Sequence, residues 1–356
     1  MDHALRRERL AARLRELELD AVLVTHLPNV RYLTGFGGSS AELVVGRDGV
    51  MLLIDGRYVQ QAARQAPDVE RRPCLDGYVG PTVEAAAAFG DRVGFERQRI
   101  GYAEWERLRE RADRLEFVPT DGLVEDLRIS KDEDERGLIG AAQRAAEAAF
   151  DEVVIGLREG VEEREVALAL EVAMRRAGAD GLGFEPIVGF GENSAEPHHE
   201  PGSRPLRRGD VVVLDFGARV GGYRSDMTRT IALGDPGGRL REVHALVARA
   251  QAAGVEAIGP GAVASDVDGA ARTVIAGADL ADAFSHPVGH GVGLEIHESP
   301  IMRSTCGDVL RPGAVVTVEP GVYIPGLGGI RIEDMVEVTA DGRRVIPRTT
   351  KELIVL

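Results

Sequence analysis

VVVLDFGARVGGYRSDMTRTIAL, residues 211–233, decides how the C-terminal half of this chain folds. Two β-branched runs flank Gly221-Gly222, a pattern that reads as a hairpin with a tight glycine turn. Asp215 closes the first run and Asp226 opens the second. A turn at the glycines brings the two aspartates close to opposite one another. Two bare carboxylates so placed repel, and one would take up a proton. A divalent cation between them removes the conflict. The alternative, two solvent-facing acids at strand ends, is weaker for the pair than for either aspartate alone.

Further along, SHPVGHGVGLEIHE (285–298) holds His286, His290 and His297, three of the eight histidines. Pro287, Gly289, Gly291 and Gly293 oppose a helix. The two histidines four apart are therefore not a helical zinc motif. The segment reads as a tight loop entering a strand, with a backbone able to approach a ligand closely. VVTVEPGVYI (315–324) and GGIRIEDMVEV (328–338) read as two more strands. Alternation puts Thr317 with Glu319 on one face, and Arg331 with Glu333 on one face of the other. A plain ion pair between Arg331 and either glutamate is the competing reading. GENSAEPHHEP (191–201) sets His198-His199 in a polar loop.

Asp215, Asp226, His290, Glu319 and Glu333 thus each close or interrupt an apolar run, where an ionisable side chain needs a partner. Four carboxylates and one imidazole suit a pair of divalent cations. They do not suit a structural zinc site, which prefers thiolates.

The rest of the chain divides in two. Leucines 5, 10, 14 and 17 are spaced as in a helix. AVLVTHL (21–27), ELVV (42–45), VMLLID (50–55) and RVGFE (92–96) read as strands, and 102–115 as a helix. Strand alternating with helix predicts a small α/β domain over 1–126. LRISKDEDER (127–136) marks the boundary, with a capping box from Ser130 to Glu133 opening a helix over 138–155. Helices follow near 162–177, 239–258 and 265–278, among mainly antiparallel strands. The second domain, 127–356, is therefore α+β.

Bulk properties narrow the partners. Of 356 residues, 44% are apolar and 28% charged, as in a globular protein of two domains. A net charge of −15 argues against nucleic acid and anionic membranes as partners. No apolar run is long enough to span a bilayer. The charged start, MDHALRRERLAARLRELELD, is unlike a signal peptide, so a cytoplasmic location is expected. Cys74 and Cys306 lie far apart without metal-type spacing and read as unpaired thiols. Lys131 and Lys351 are the only lysines, which reads as genome composition.

NSAEPHH, LRRGDVVVLDFGARVGGYRSDMTRT, HPVGHGVGLEIHE and VEPGVYIPGLGGIRIED, in this order, resemble the pita-bread metallopeptidases. These are the methionine aminopeptidases, aminopeptidases P and prolidases. NVRYLTGFGGSSAELVV and IDGRY (54–58) resemble the creatinase-type N-terminal domain of short bacterial Xaa-Pro peptidases. The resemblance implies a pita-bread catalytic domain, an antiparallel sheet with flanking helices, behind a smaller α/β domain that serves oligomerisation or substrate access. It implies two divalent metal ions, manganese first, with cobalt, zinc or iron as alternatives. Asp215 would hold one metal, Asp226 and Glu333 would bridge both, and His290 and Glu319 would complete the second. Glu319 would also move a proton. His198 and His297 would act at the leaving amide, His286 would line the substrate site, and Arg331 would help bind substrate. His199 carries no implied role.

The implied substrate is a peptide with proline second, and a homodimer is the implied assembly. An Xaa-Pro aminopeptidase is the leading expectation and an Xaa-Pro dipeptidase the alternative. A non-catalytic peptide-binding module and a hydrolase of non-peptide amides are the readings from other classes. Members of the fold that have lost catalysis have replaced these ligands, and none is replaced here.

Overall fold

The computed structural model describes residues 1–356 and divides into two compact units, Met1–Arg128 and Ile129–Leu356. No helix is long and apolar enough to cross a membrane.

The N-terminal unit runs α1 (His3–Glu16), β1 (Ala21–Val24), α2 (Leu27–Thr34), β2 (Ala41–Gly46), β3 (Val50–Asp55), α3 (Val59–Gln65), β4 (Glu70–Cys74), α4 (Val79–Phe89), β5 (Arg92–Glu96), α5 (Tyr102–Arg111), β6 (Glu116–Thr120) and α6 (Glu125–Arg128). The strands form one mixed six-stranded sheet, ordered β4-β3-β2-β1-β5-β6. Every residue of β1 is buried, as a central strand covered on both faces requires. Pro73 sits in β4 at the sheet edge, where a missing N–H costs no ladder bond.

Two expectations fail here. The strand read over 21–27 stops at Val24, and α2 opens at Leu27 with Pro28 in its first turn. No side chain next to the helix start caps α2; the Glu96 carboxylate accepts from the N–H groups of Thr25 and His26, each at 2.8 Å. The helix read over 102–115 ends at Arg111.

The C-terminal unit begins with α7 (Glu133–Gly156) and α8 (Glu163–Arg176). β7 (Gly181–Leu182), β8 (Ile187–Phe190), β9 (Val211–Phe216), β10 (Ala218–Val220), β11 (Tyr223–Arg224) and β12 (Met227–Ala232) follow. Then come α9 (Gly238–Ala257), α10 (Ala264–Ala276), β13 (Gly289–Gly291), β14 (Glu298–Met302), β15 (Val315–Val318), β16 (Gly321–Ile324), β17 (Gly328–Arg331), β18 (Asp334–Val338) and β19 (Arg343–Val345). The named strands of this unit pair antiparallel. Two of its sheets, β12-β9-β8 and β14-β13-β15-β18-β19, frame the site.

α7 is capped by Asp132 and Glu135, not by Ser130 and Glu133. Asp132 accepts from Glu135 N at 2.9 Å, and the Glu135 carboxylate accepts from Asp132 N at 2.8 Å. The cap thus sits two residues later than expected, while the helix opens at Glu133, ahead of the start read at 138.

Each sheet has its own helical cover. Ala142, Ala145, Ala146 and Ala149 give α7 a smooth face that lies against β9 and β12, and Phe150 stacks on Phe216. α9 and α10 cover the other sheet through Val243, Val247, Val267 and Ala271. Burying each valine or phenylalanine contributes roughly 1.5–3 kcal/mol. Two stiff sheets, each backed by a helix pair, carry the polar cluster described next.

Candidate metal centre

The hairpin of residues 211–233 sets the first two carboxylates. Gly221 and Gly222 take φ of 57° and 88°, the pair of positive angles that a two-residue turn between twisted strands requires. Val220 pairs with Tyr223, and the same register places Asp215 opposite Thr228. Asp226 is therefore not directly across from Asp215, as the sequence suggested; it lies two residues away along the partner strand. The period of two still keeps both on one face. Gly217 lets the strands close here, because a Cβ there would collide with the Ser225 carbonyl.

His290 comes from β13, clasped between β14 and β15. A Cβ on Gly289 would strike the Thr317 carbonyl, and one on Gly291 the Ser299 carbonyl. The glycines flanking His290 are thus what allows the imidazole to approach the sheet. Its backbone N–H donates to Thr317 Oγ1 at 3.0 Å, and that hydroxyl donates to Glu319 Oε1 at 3.1 Å. Glu333 lies between β17 and β18. Its N–H donates to the Thr228 carbonyl at 3.2 Å, its carbonyl accepts from Arg229, and Thr228 Oγ1 donates to its Oε2 at 2.7 Å.

One cavity of about 310 Å³ is lined by Asp215, Asp226, His290, Glu319 and Glu333 together, with His198 and His297 also on its wall. Donor atoms of Asp226, His290 and Glu333 all lie within 4.8 Å of one another. His290 Nε2 is 3.2 Å from Glu319 Oε1 and 3.6 Å from Asp226 Oδ2. The adjoining cavity is lined by His286, Pro287 and Arg331 and shares Asp215, His198, His290, His297 and Glu319. All nine residues singled out from the sequence therefore border one continuous cleft. The rings of His290 and His297 meet edge to face at 4.3 Å.

The electrostatics of the cluster are those of an acid-rich site short of positive charge. Burial pushes Asp226 and Glu333 well above the ordinary carboxylate range, and the neighbouring carboxylates push them further. Burial also raises Asp215, against the pull of Arg331. Glu319 goes the other way: burial would raise it, but His290 and Arg331 hold it down to about 2. His290 is raised, because Glu319 outweighs the burial that disfavours its charge.

The residues present fit a metal. Asp215 Oδ1 and Glu333 Oε1 are buried and have no hydrogen-bond partner, an expensive state for a carboxylate oxygen. Oxygen donors with one imidazole match a hard-to-borderline cation. The free oxygens belong to a residue of β9 and one between β17 and β18, both lining one cavity.

Arg331 was expected beside the cluster, and the structure shows how it is held. Nη2 donates to Asp215 Oδ2 at 2.5 Å, Nη1 to Tyr323 Oη at 2.9 Å and to the Pro197 carbonyl at 3.1 Å, and Nε to Thr228 Oγ1 at 3.1 Å. Tyr323 was missed in the sequence. Its hydroxyl lies 2.8 Å from His286 Nε2, while His286 Nδ1 lies 2.8 Å from the Pro287 carbonyl. A carbonyl only accepts, so Nδ1 carries the proton and Nε2 accepts from Tyr323. That neutral imidazole agrees with burial lowering the His286 pKa. Both lysines pair with buried carboxylates. Lys131 pairs with buried Glu298, beside His297, and Lys351 with buried Asp334, beside Glu333.

This arrangement defines a metal-dependent hydrolase. Residues 137–340 match Metallopeptidase family M24 and residues 6–130 match the Creatinase/Prolidase N-terminal domain, and the chain belongs to that metallopeptidase family. The solved Xaa-Pro dipeptidase from Bacillus anthracis superposes with a TM-score of 0.96 at 38% identity, covering 100% of both chains. The Xaa-Pro dipeptidase of Pyrococcus horikoshii is 35% identical over 94% of this chain and 95% of its own length. The X-Pro aminopeptidase from Thermotoga maritima superposes with a TM-score of 0.89 at 32% identity, covering 97% of this chain and 100% of its own.

Proposed function

We propose that this chain is an Xaa-Pro dipeptidase that uses two divalent metal ions. The observation that carries this is the convergence of Asp215, Asp226, His290, Glu319 and Glu333 on one cavity with buried carboxylate oxygens left unpaired. The named relatives favour the dipeptidase over the aminopeptidase that the sequence suggested first. The cavity volume, at the small end of the roughly 300–1,000 Å³ common for ligand pockets, suits a dipeptide.

Asp215, Asp226, His290, Glu319 and Glu333 would hold the metal ions between them. Such a pair, when bound, lowers the pKa of a water toward neutrality and polarises the scissile carbonyl. Glu319, on the wall of the same cavity, is the candidate to take the proton of the attacking water. Burial lowers the pKa of His297, so its imidazole is neutral and meets the substrate as a hydrogen-bond donor. His198, on the same wall, is the candidate to donate to the departing proline nitrogen. The Xaa-Pro bond has no N–H, so peptidases that recognise that group fail on it.

The test is hydrolysis by the purified, metal-loaded protein of Xaa-Pro dipeptides beside Xaa-Pro-Xaa tripeptides, with bound metal measured in parallel. Cleavage confined to dipeptides, with close to two divalent ions per chain, is the expected result. Equal or better cleavage of tripeptides restores the aminopeptidase reading. Bound metal with activity on neither moves the function to other amides, and no bound metal at all points to a binding module.

A further inference from the structure

We propose that His199 and Glu163 form a positioning pair that holds the His198 loop against the cleft. The inference rests on the reading above in which His198 acts at the leaving amide.

Glu163 is the first residue of α8, and its side chain is completely buried. Glu162 and Glu165 already serve as the capping box of that helix, so the Glu163 carboxylate is not needed as a cap. It turns inward instead. Oε1 accepts from Phe190 N at 2.9 Å and from Asn193 Nδ2 at 3.0 Å. Oε2 accepts from Gly202 N at 3.1 Å and from His199 Nε2 at 2.9 Å. One buried carboxylate thus ties the end of β8, the turn after it and the far end of the histidine loop to one point.

His199 closes the clasp. Its Nδ1 lies 3.0 Å from Glu196 Oε2 while Nε2 faces Glu163. Carboxylates only accept, so both ring nitrogens are donors and the ring is an imidazolium. A cation there is what makes a fully buried Glu163 tolerable, since a buried charge without a partner costs several kcal/mol. The loop also has an anchor on its cleft side, where Arg331 donates to the Pro197 carbonyl at 3.1 Å. His198 is held between the two anchors, while its own side chain faces the cleft. Neither Glu163 nor the His199 ring is assigned a step in the chemistry, so their contribution is geometric. A shift of about 1 Å at a reacting group is enough to cost roughly a hundredfold in rate.

The experiment compares the manganese-loaded full chain with Glu163→Gln, His199→Gln and His198→Ala, and with each of the first two combined with His198→Ala. The readouts are kcat and KM on an Xaa-Pro dipeptide, and bound metal. Glu163→Gln and His199→Gln should each lower kcat by about ten- to a hundredfold, with KM and metal content near wild type. Neither should lower kcat further once His198 is alanine, because the device acts only through that side chain. Wild-type kcat in both single variants, beside a crippled His198→Ala, overturns the positioning role alone. An equal loss in the His198→Ala background also overturns it, since the pair then acts elsewhere. Wild-type kcat in His198→Ala overturns the reading of His198 itself, and the positioning role with it. Should Glu163→Gln fail to fold, His199→Gln, at a partly exposed site, carries the same comparison.

Discussion

Replacing Asp226 with asparagine should make the metal-free protein more stable and the metal-loaded protein less so. In the metal-free fold, Asp215, Asp226, Glu319 and Glu333 share one buried cluster, and only Arg331 and His290 offer positive charge to it. Burial and the neighbouring carboxylates raise the pKa of Asp226 well above that of a free aspartate. The folded state therefore binds this proton more tightly than the unfolded chain does. Its stabilising effect is complete below about pH 4 and is lost as pH rises through the folded value. At pH 8 keeping this group buried, whether it takes up a proton or carries a poorly paired charge, costs at least about 1–3 kcal/mol. Asparagine removes that cost, and a unit of this size gains about 2–4 °C in Tm per kcal/mol.

Bound cations reverse the order. A ligand that binds only the folded state at about a thousand times its Kd adds about 4 kcal/mol, and Asp226→Asn forfeits most of that. Calorimetry with and without chelator, at pH 5, 6.5 and 8, reads both effects. Three results would refute the reasoning: a stripped variant that melts below stripped wild type at pH 8, an advantage that fails to shrink toward pH 5, or a variant that gains as much from metal as wild type.

Arg331→Met leaves Asp215 without its cation and Tyr323 and the Pro197 carbonyl without a donor, at a cost of about 3–5 kcal/mol; a melting point lowered by less than about 5 °C would contradict the reading. Gly289→Ala drives a methyl group into the Thr317 carbonyl and displaces His290, so activity should fall by about a hundredfold or more and metal affinity with it, as measured by steady-state kinetics and titration calorimetry. Lys131→Met removes the ammonium that donates to buried Glu298, and denaturant unfolding should show a loss of about 1.5–3 kcal/mol.

The cluster was legible because its chemistry resides in residue types and its convergence in a period of two. Asp215, Glu319 and Glu333 each break an apolar run in a way that alternation makes visible. Part of what escaped was set by partners remote in sequence. α2 carries Pro28 in its first turn but no local cap; Glu96, on another strand, supplies the acceptor for the free N–H groups before it. The capping box read at Ser130 lies at Asp132, whose own spacing to Glu135 satisfies the same pattern. Asp215 faces Thr228 because the turn is confined to two glycines, which fixes the register of the whole hairpin. Tyr323 had a visible hint, one polar-tipped aromatic in an apolar strand, but nothing local says that its hydroxyl joins Arg331 to His286.

Arg331 explains why these elements behave as one site. A lysine would offer a single point charge, whereas the guanidinium fork reaches Asp215, Tyr323, Thr228 Oγ1 and the Pro197 carbonyl at once. Its contacts run from a candidate metal ligand on β9 to the loop that carries His198. Arg331 holds Asp215 Oδ2 and leaves Oδ1 open to the cavity. The His199–Glu163 anchor touches none of the five candidate ligands. The loop is thus held at two points, one beside a candidate ligand and one apart from all of them.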